Sequence, residues 1–147
     1  MLMETTTYIS INKKVSGNAR QNEWKALGKH IILELFTKEI EKLNDTSFIK
    51  EMLIKAAEEA ETTVLNYAEH KFKPQGVTAV VLLAESHISI HTWPEYGYAA
   101  IDIYTCGGIP EKAMEFIIQK LNAYEYDMKM MVRGDYKTVE EKLEKNF

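Results

Sequence analysis

Two neighbouring segments decide the fold: residues 84–95 read AESHISIHTWPE and residues 98–107 read YAAIDIYTCG. In both segments polar and apolar side chains alternate, which is typical of a strand with one buried face. The residues from Pro94 to Gly97 between them have the composition of a turn. The two segments therefore predict a β-hairpin.

The predicted hairpin has one apolar and one polar face. The apolar face is formed by Ile88, Ile90, Ile101 and Ile103. We expect it to pack on helices. The polar face carries His87, Ser89, His91, Tyr98, Asp102, Tyr104 and Cys106. A polar face inside a small α/β domain predicts either a functional site or a second layer supplied by another subunit.

The flanking sequence adds strands and two helices. Further strands are predicted at Leu27–Phe36, Thr62–Phe72, Val77–Ala84 and Tyr126–Val132. The first helix follows a cap at Asn44-Asp45-Thr46, and the second begins at Pro110. The predicted fold is α+β, a two-layer α/β sandwich whose mainly antiparallel sheet is covered on one face by two helices and dimerises through the other side. We interpret residues 1–26 as a polar N-terminal arm and residues 27–147 as a single domain.

Composition excludes several classes of function. The chain has 147 residues, a formal net charge of −4 and no dense basic patch, so nucleic-acid binding is not expected. Apolar runs such as residues 77–84 are too short to span a membrane. The start lacks the layout of a secretory signal, and one cysteine cannot form an internal disulfide, which together predict the cytoplasm. The four histidines form no recognisable metal-binding motif, so no metal is expected.

The dipeptide Glu85-Ser86 permits chemistry on the protein's own backbone. The Ser86 hydroxyl can attack the carbonyl of Glu85 to give an ester, and loss of the α-proton of Ser86 then eliminates the Glu85 carboxylate. The remaining dehydroalanine hydrolyses to ammonia and a pyruvoyl group. Such a ketone forms a Schiff base with a substrate amine and accepts electrons when a carboxylate leaves as carbon dioxide.

Two nearby side chains suit the proton transfers. His91 suits the base because its reference pKa is near neutrality, and Cys106 suits the proton donor. Residue types and spacing alone do not establish these roles, because a lone cysteine in a strand is often simply a small buried apolar residue. Ser86 and His91 are also an odd number of residues apart and would point to opposite faces of a regular strand. Their cooperation would require a bend or bulge near residue 86.

From about Leu27 to Gly107 the chain resembles the short prokaryotic S-adenosylmethionine decarboxylases, which are pyruvoyl enzymes of spermidine synthesis. The matching stretches are LGKH at 27–30, LND at 43–45, HKFKPQGV at 70–77, and the two segments quoted above. The resemblance implies self-cleavage between Glu85 and Ser86 into a β chain, 1–85, and an α chain, 86–147. It also implies that the product is the aminopropyl donor for spermidine.

The resemblance assigns roles to single residues. It implies that Ser86 becomes the pyruvoyl group, that His91 acts in processing and that Cys106 protonates the product carbon. Thr78 occupies the position where the family often has a serine that assists processing. Threonine keeps the hydroxyl, although its extra methyl group restricts the rotamer.

The same matching predicts the substrate contacts. Phe72 and Trp93 would stack on adenine and Glu95 would bind the ribose hydroxyls of S-adenosylmethionine, within a homodimer whose protomers complete paired active sites. Ordinary packing and a solvated turn carboxylate are the alternatives for these residues. Two other functions stay open: an arginine decarboxylase on the same fold and cofactor, and a homologue that is not processed and regulates an active partner.

Overall fold

The computed structural model describes residues 9–10 and 26–146 and contains a single antiparallel sheet. The strands are β1 Ile9–Ser10, β2 Ala26–Thr37, β3 Val64–Lys71, β4 Val77–Leu83, β5 Ser86–Trp93, β6 Tyr98–Thr105 and β7 Ala123–Asp135. The helices are α1 Ile40–Leu43, α2 Thr46–Glu59, α3 Pro110–Lys120 and α4 Tyr136–Asn146, and Pro94–Tyr96 forms a 3₁₀ turn. The strand order is β1-β7-β2-β6-β5-β4-β3.

One face of the sheet is covered by α2 and α3, as predicted. Strand alternation directs one set of side chains toward these helices, and four isoleucines of the central hairpin are among them. Ile88, Ile90, Ile101 and Ile103 are all essentially inaccessible to solvent. On the helical side, Leu53 and Ile117 complete this core. The α+β sandwich is therefore confirmed.

The helix boundaries follow from local chemistry. The Asp45 carboxylate accepts a hydrogen bond from the Phe48 amide at 3.0 Å, which satisfies a free N–H at the start of α2. Pro110 occupies the first turn of α3, where its missing N–H costs nothing. After α2, the Thr62 amide donates to the Ala57 carbonyl at 3.1 Å, which turns the chain toward β3. These contacts fix where each helix begins and how the chain leaves α2.

The opposite face of the sheet is polar and half-exposed. His30 Nε2 lies 2.8 Å from Asp102 Oδ1, and the Tyr98 hydroxyl donates to the Glu34 carboxylate. Burial raises the pKa of Tyr98 to about 12, and the bond to Glu34 adds to the shift. This face thus carries paired polar groups, whereas the other face packs the hydrophobic core against α2 and α3. Its use in dimerisation stays a prediction.

The predicted arm at residues 1–26 lies mostly outside the described residues. Within it, Ile9 and Ser10 form an edge strand paired with Met130 and Lys129 of β7. The boundary before Leu27 stays a prediction, although β2 begins one residue earlier, at Ala26. Among the described residues, no helix is long and apolar enough to cross a membrane.

Candidate active site

The corner between β4 and β5 holds the Glu85-Ser86 bond. Leu83 pairs with Ser86, so Ala84 and Glu85 form the turn. Ser86 has φ of 146°, a value that favours glycine and strains a residue with a side chain. The pairing of β5 with both neighbours runs without a register shift. The bulge that cooperation of Ser86 and His91 within one strand would require is therefore absent from the described pairing of β5, and the unusual geometry is confined to the backbone of Ser86.

The carbonyl of Glu85 is held by the segment that carries the cysteine. The Cys106 amide donates a hydrogen bond to the Glu85 oxygen at 2.9 Å. β6 ends at Thr105, so Cys106 lies just after the strand and not within it as the alternation predicted. Cys106 is exposed and its thiol is free. The structure thus brings Glu85, Ser86 and Cys106 together at one corner of the sheet.

Thr78 and His91 form a second group. They are cross-strand partners in β4 and β5, and Thr78 Oγ1 lies 2.9 Å from His91 Nδ1. Both side chains are half-buried on the polar face. The hydroxyl occupies one ring nitrogen and fixes the orientation of the imidazole, so the other nitrogen is left for a different partner.

The two groups lie far apart within one chain. A strand rises about 3.3 Å per residue, so five residues of regular β5 separate the Cα atoms of Ser86 and His91 by about 16 Å. Their side chains also belong to opposite faces by alternation. Within one chain His91 therefore does not reach Ser86, and the site is divided between the two ends of β5.

The predicted substrate residues lie at the His91 end. Phe72 and Trp93 are 46% and 40% exposed, an unusual exposure for such large rings, and Glu95 is exposed in the 3₁₀ turn. The Phe72 ring meets His70 edge-on at 4.6 Å between centroids, and Trp93 stacks on Tyr98 at 5.4 Å. The rings are therefore supported from one side and open on the other.

The structure adds two residues that the sequence did not single out. Thr105 pairs with Ser86 across the sheet, and its hydroxyl is buried without a hydrogen-bond partner among the described residues. The available signal was a threonine at a position that alternation assigns to the apolar face of β6. Thr63 contacts the Glu85 side chain and gave no signal, because 22 residues separate them. The described residues contain no cluster of three or more His, Cys, Asp or Glu side chains suited to a metal.

Comparison with known proteins agrees with this architecture. A solved adenosylmethionine decarboxylase from Aquifex aeolicus superposes with a TM-score of 0.71 and 42% identity, covering 76% of this chain and 93% of that one. A family model described as S-adenosylmethionine decarboxylase matches residues 29–134. That match extends beyond Gly107 through most of β7.

Curated relatives with the same family name have higher sequence identity to this chain than the solved structure has. An S-adenosylmethionine decarboxylase proenzyme from Prochlorococcus marinus (strain MIT 9313) is 50% identical over 109 residues, which is 73% of this chain and 87% of the relative. A proenzyme of the same name from Sulfurihydrogenibium is 48% identical over 112 residues, 75% and 84% of the two chains. The chain belongs to the S-adenosylmethionine decarboxylase family. None of these comparisons supports the arginine decarboxylase alternative.

Proposed function

We propose that this chain is a proenzyme that cleaves itself before Ser86 and then decarboxylates S-adenosylmethionine. The observation that carries the proposal is the corner itself. A serine with a strained backbone follows a carbonyl that already accepts the Cys106 N–H. Strain of this kind persists where the surrounding structure over-determines it, which is common at functional sites.

The cleavage proceeds without an outside reactant other than water. The Ser86 oxygen bonds to the Glu85 carbonyl carbon, and the peptide C–N bond breaks to give an ester and a free amine. A base removes the α-proton of Ser86, and the Glu85 carboxylate leaves with the electrons of the ester C–O bond. The resulting enamine tautomerises to an imine, and water releases ammonia to give the pyruvoyl end.

Cys106 contributes its backbone to the first step. Attack on the Glu85 carbonyl places negative charge on the oxygen that receives the Cys106 N–H at 2.9 Å. A donor already in position stabilises that charge as it forms, and one such donor is commonly worth a hundredfold or more in rate. The same corner therefore both holds Ser86 in a strained backbone conformation and stabilises the developing oxyanion.

The base would come from a second copy of the chain. His91 is about 16 Å from Ser86 along its own strand, so the Thr78–His91 pair cannot serve that serine directly. A homodimer that packs polar face on polar face in opposite directions would bring His91 of the partner subunit to the end of β5 that holds the Glu85–Ser86 bond. The exposed Val80 and Leu82, which share a face with Thr78, support such a contact.

After cleavage the pyruvoyl group supplies the electron sink that lets a carboxylate leave as carbon dioxide. Ser86 would carry this group, and the exposed Cys106 thiol beside it would return a proton to the product carbon. Phe72 and Trp93 would stack on the adenine, and Glu95 would accept hydrogen bonds from the ribose hydroxyls. The product would be the aminopropyl donor for spermidine. A free thiol in this role fits a reducing compartment such as the cytoplasm.

The direct test is the mass of the purified protein under denaturing conditions. We expect two fragments, 1–85 and 86–147, with the second bearing a pyruvoyl end. Ser86→Ala should give one uncut, inactive chain. The cleaved protein should release carbon dioxide from S-adenosylmethionine and not from arginine. An uncut wild-type chain would instead support the unprocessed regulatory homologue, and turnover by Ser86→Ala would contradict the pyruvoyl mechanism.

Mixing two inactive variants tests the shared site. His91→Ala alone should stay uncut, since it lacks the base. Mixed with Ser86→Ala chains, it should be cut, because the intact Ser86 then meets the intact His91 of the partner subunit. If His91→Ala stays uncut in the mixture while mixed dimers form, the base acts within its own chain.

A further inference from the structure

The connection between α2 and β3, residues 60–63, contacts both the two residues that precede the cut bond and the segment that follows Cys106. We infer that the Glu85 side chain is a positioning residue for self-cleavage and that Thr63 is its anchor. This inference rests on the proposed function, since it concerns the rate of the proposed cut. Its evidence is separate, because no contact below involves the Ser86 side chain or the Thr78–His91 pair.

Thr63 holds both residues of the β4–β5 turn. Its amide donates to Glu85 Oε2 at 3.0 Å, and its carbonyl accepts the Ala84 amide at 2.9 Å. The aliphatic part of Glu85 lies against Gly107, where an added Cβ would sit 3.7 Å from Glu85 Cγ. The half-buried Glu85 side chain is thus fixed between Thr63 and the segment that carries Cys106.

The same connection holds the Cys106 segment. The Ile109 amide donates to the Ala60 carbonyl at 2.8 Å. Gly108 has φ of 72°, and a Cβ there would lie 2.3 Å from the Ala60 oxygen, so the two backbones are in close contact. Residues 60–63 therefore set the position of the Glu85 carbonyl and of the Cys106 N–H relative to each other.

The connection is itself well anchored. The Thr62 amide and hydroxyl both donate to the Ala57 carbonyl, at 3.1 and 2.7 Å. Glu61 has φ of 58°, the left-handed geometry that closes many helices. Since α2 packs on the core, these contacts connect the core to the corner through residues 60–63. A hairpin does not require a carboxylate at its turn. We therefore expect the Glu85–Thr63 contact to fix the geometry of the corner and not to be needed for the corner to form.

Loss of the Glu85–Thr63 bond should let the corner relax toward ordinary φ values at Ser86 and slow the attack. The test follows cleavage of freshly translated chains by intact mass over time. We expect Glu85→Ala to cleave at least tenfold more slowly than wild type. Glu85→Gln keeps an acceptor for the Thr63 amide and should cleave at nearly the wild-type rate. Glu59→Ala, an exposed carboxylate at the end of α2, is the matched control and should change nothing.

Stability is measured separately. In the uncleavable Ser86→Ala background, Glu85→Ala and Glu85→Gln should unfold at the same temperature within about 2 °C, because one exposed hydrogen bond contributes little to stability. A slow Glu85→Ala with unchanged unfolding is the signature of positioning. Thr63→Pro removes the donor without altering the residues that flank the bond. It should be slow, and adding Glu85→Ala should slow it no further.

Several results would overturn the inference. These are cleavage of Glu85→Ala at the wild-type rate, a Glu85→Gln variant as slow as Glu85→Ala, and multiplication of the two defects in the double variant. If Thr63→Pro fails to fold, the Ala and Gln variants still decide between these results. An uncut wild-type chain would overturn the proposed function itself, and the inference with it.

Discussion

The β4–β5–β6 meander reverses direction at two corners: the first joins β4 to β5 and the second joins β5 to β6. Each corner contains a residue with positive φ, but the residue type differs. At the second corner the residue with positive φ is Gly97, at 60°, and its carbonyl accepts the Thr37 amide at 2.8 Å. At the first corner the residue with positive φ is Ser86, at 146°. Glycine adopts such angles at little cost, whereas serine does not. The difference teaches that the strain at Ser86 is not a requirement of hairpins, and this fits a bond built to be broken.

Replacing Cys106 by alanine should separate the two uses of the first corner. The backbone N–H remains on the Glu85 carbonyl, so we expect cleavage to continue. The thiol is gone, so turnover should fall by about a hundredfold, as for loss of a general acid. Fragment masses measure the first result and carbon dioxide release the second. A variant that is neither cut nor unfolded would mean that the thiol takes part in processing.

Substitution of Gly97 at the second corner should lower the stability of the protein and leave self-cleavage unaffected. Gly97→Ala forces a side chain into the left-handed region, with its Cβ 2.5 Å from the Thr37 carbonyl oxygen. We expect a loss of about 2 kcal/mol in the free energy of unfolding, measured with denaturant in the uncut Ser86→Ala background. The otherwise wild-type Gly97→Ala chain should still be cut. A full loss of cleavage in a folded Gly97→Ala chain would contradict the division of roles between the corners.

The strand between the corners, β5, carries His91, and its partner Thr78 lies opposite on β4. Thr78→Val removes the hydroxyl that contacts His91 Nδ1 while keeping a branched side chain. We expect cleavage to slow about tenfold because the imidazole loses its orientation. Thr78→Ser restores the hydroxyl and should restore the rate, as followed by intact mass. Equal rates for the valine and serine variants would remove Thr78 from the mechanism.

The cost of strain at the first corner can be measured directly. Ser86→Gly and Ser86→Ala are both uncleavable, so their unfolding can be compared without fragments. Glycine relieves strain of about 1–3 kcal/mol and loses about 0.5–1 kcal/mol to chain entropy. Ser86→Gly should therefore be more stable by about 1 kcal/mol in denaturant titrations. Equal stability would mean that the backbone at residue 86 relaxes once the hydroxyl is absent.

Alternation and capping predicted most of the fold. The isoleucine face, the cap at Asp45 and the start of α3 at Pro110 are local signals, and each is confirmed. The position of β7 between β1 and β2 is not local, and nothing in its sequence indicates its neighbours. The chemistry of the corner was predicted from residue types, but its geometry was not. The spacing indicated only that Ser86 and His91 could cooperate within one strand through a bend or bulge. The face of a side chain can be read from spacing, whereas a single φ angle cannot.

The strand order determines how the two fragments stay associated after cleavage. Residues 1–85 would supply β1 to β4 and residues 86–147 would supply β5 to β7. Four of the six neighbour pairings then join one fragment to the other: β1–β7, β7–β2, β2–β6 and β5–β4. The fragments are interleaved and cannot part without dismantling the sheet. The chain folds before it is cut, so the two fragments of the mature protein would already be associated when they form. Once denatured, they would have to meet by diffusion, and recovery would weaken with dilution.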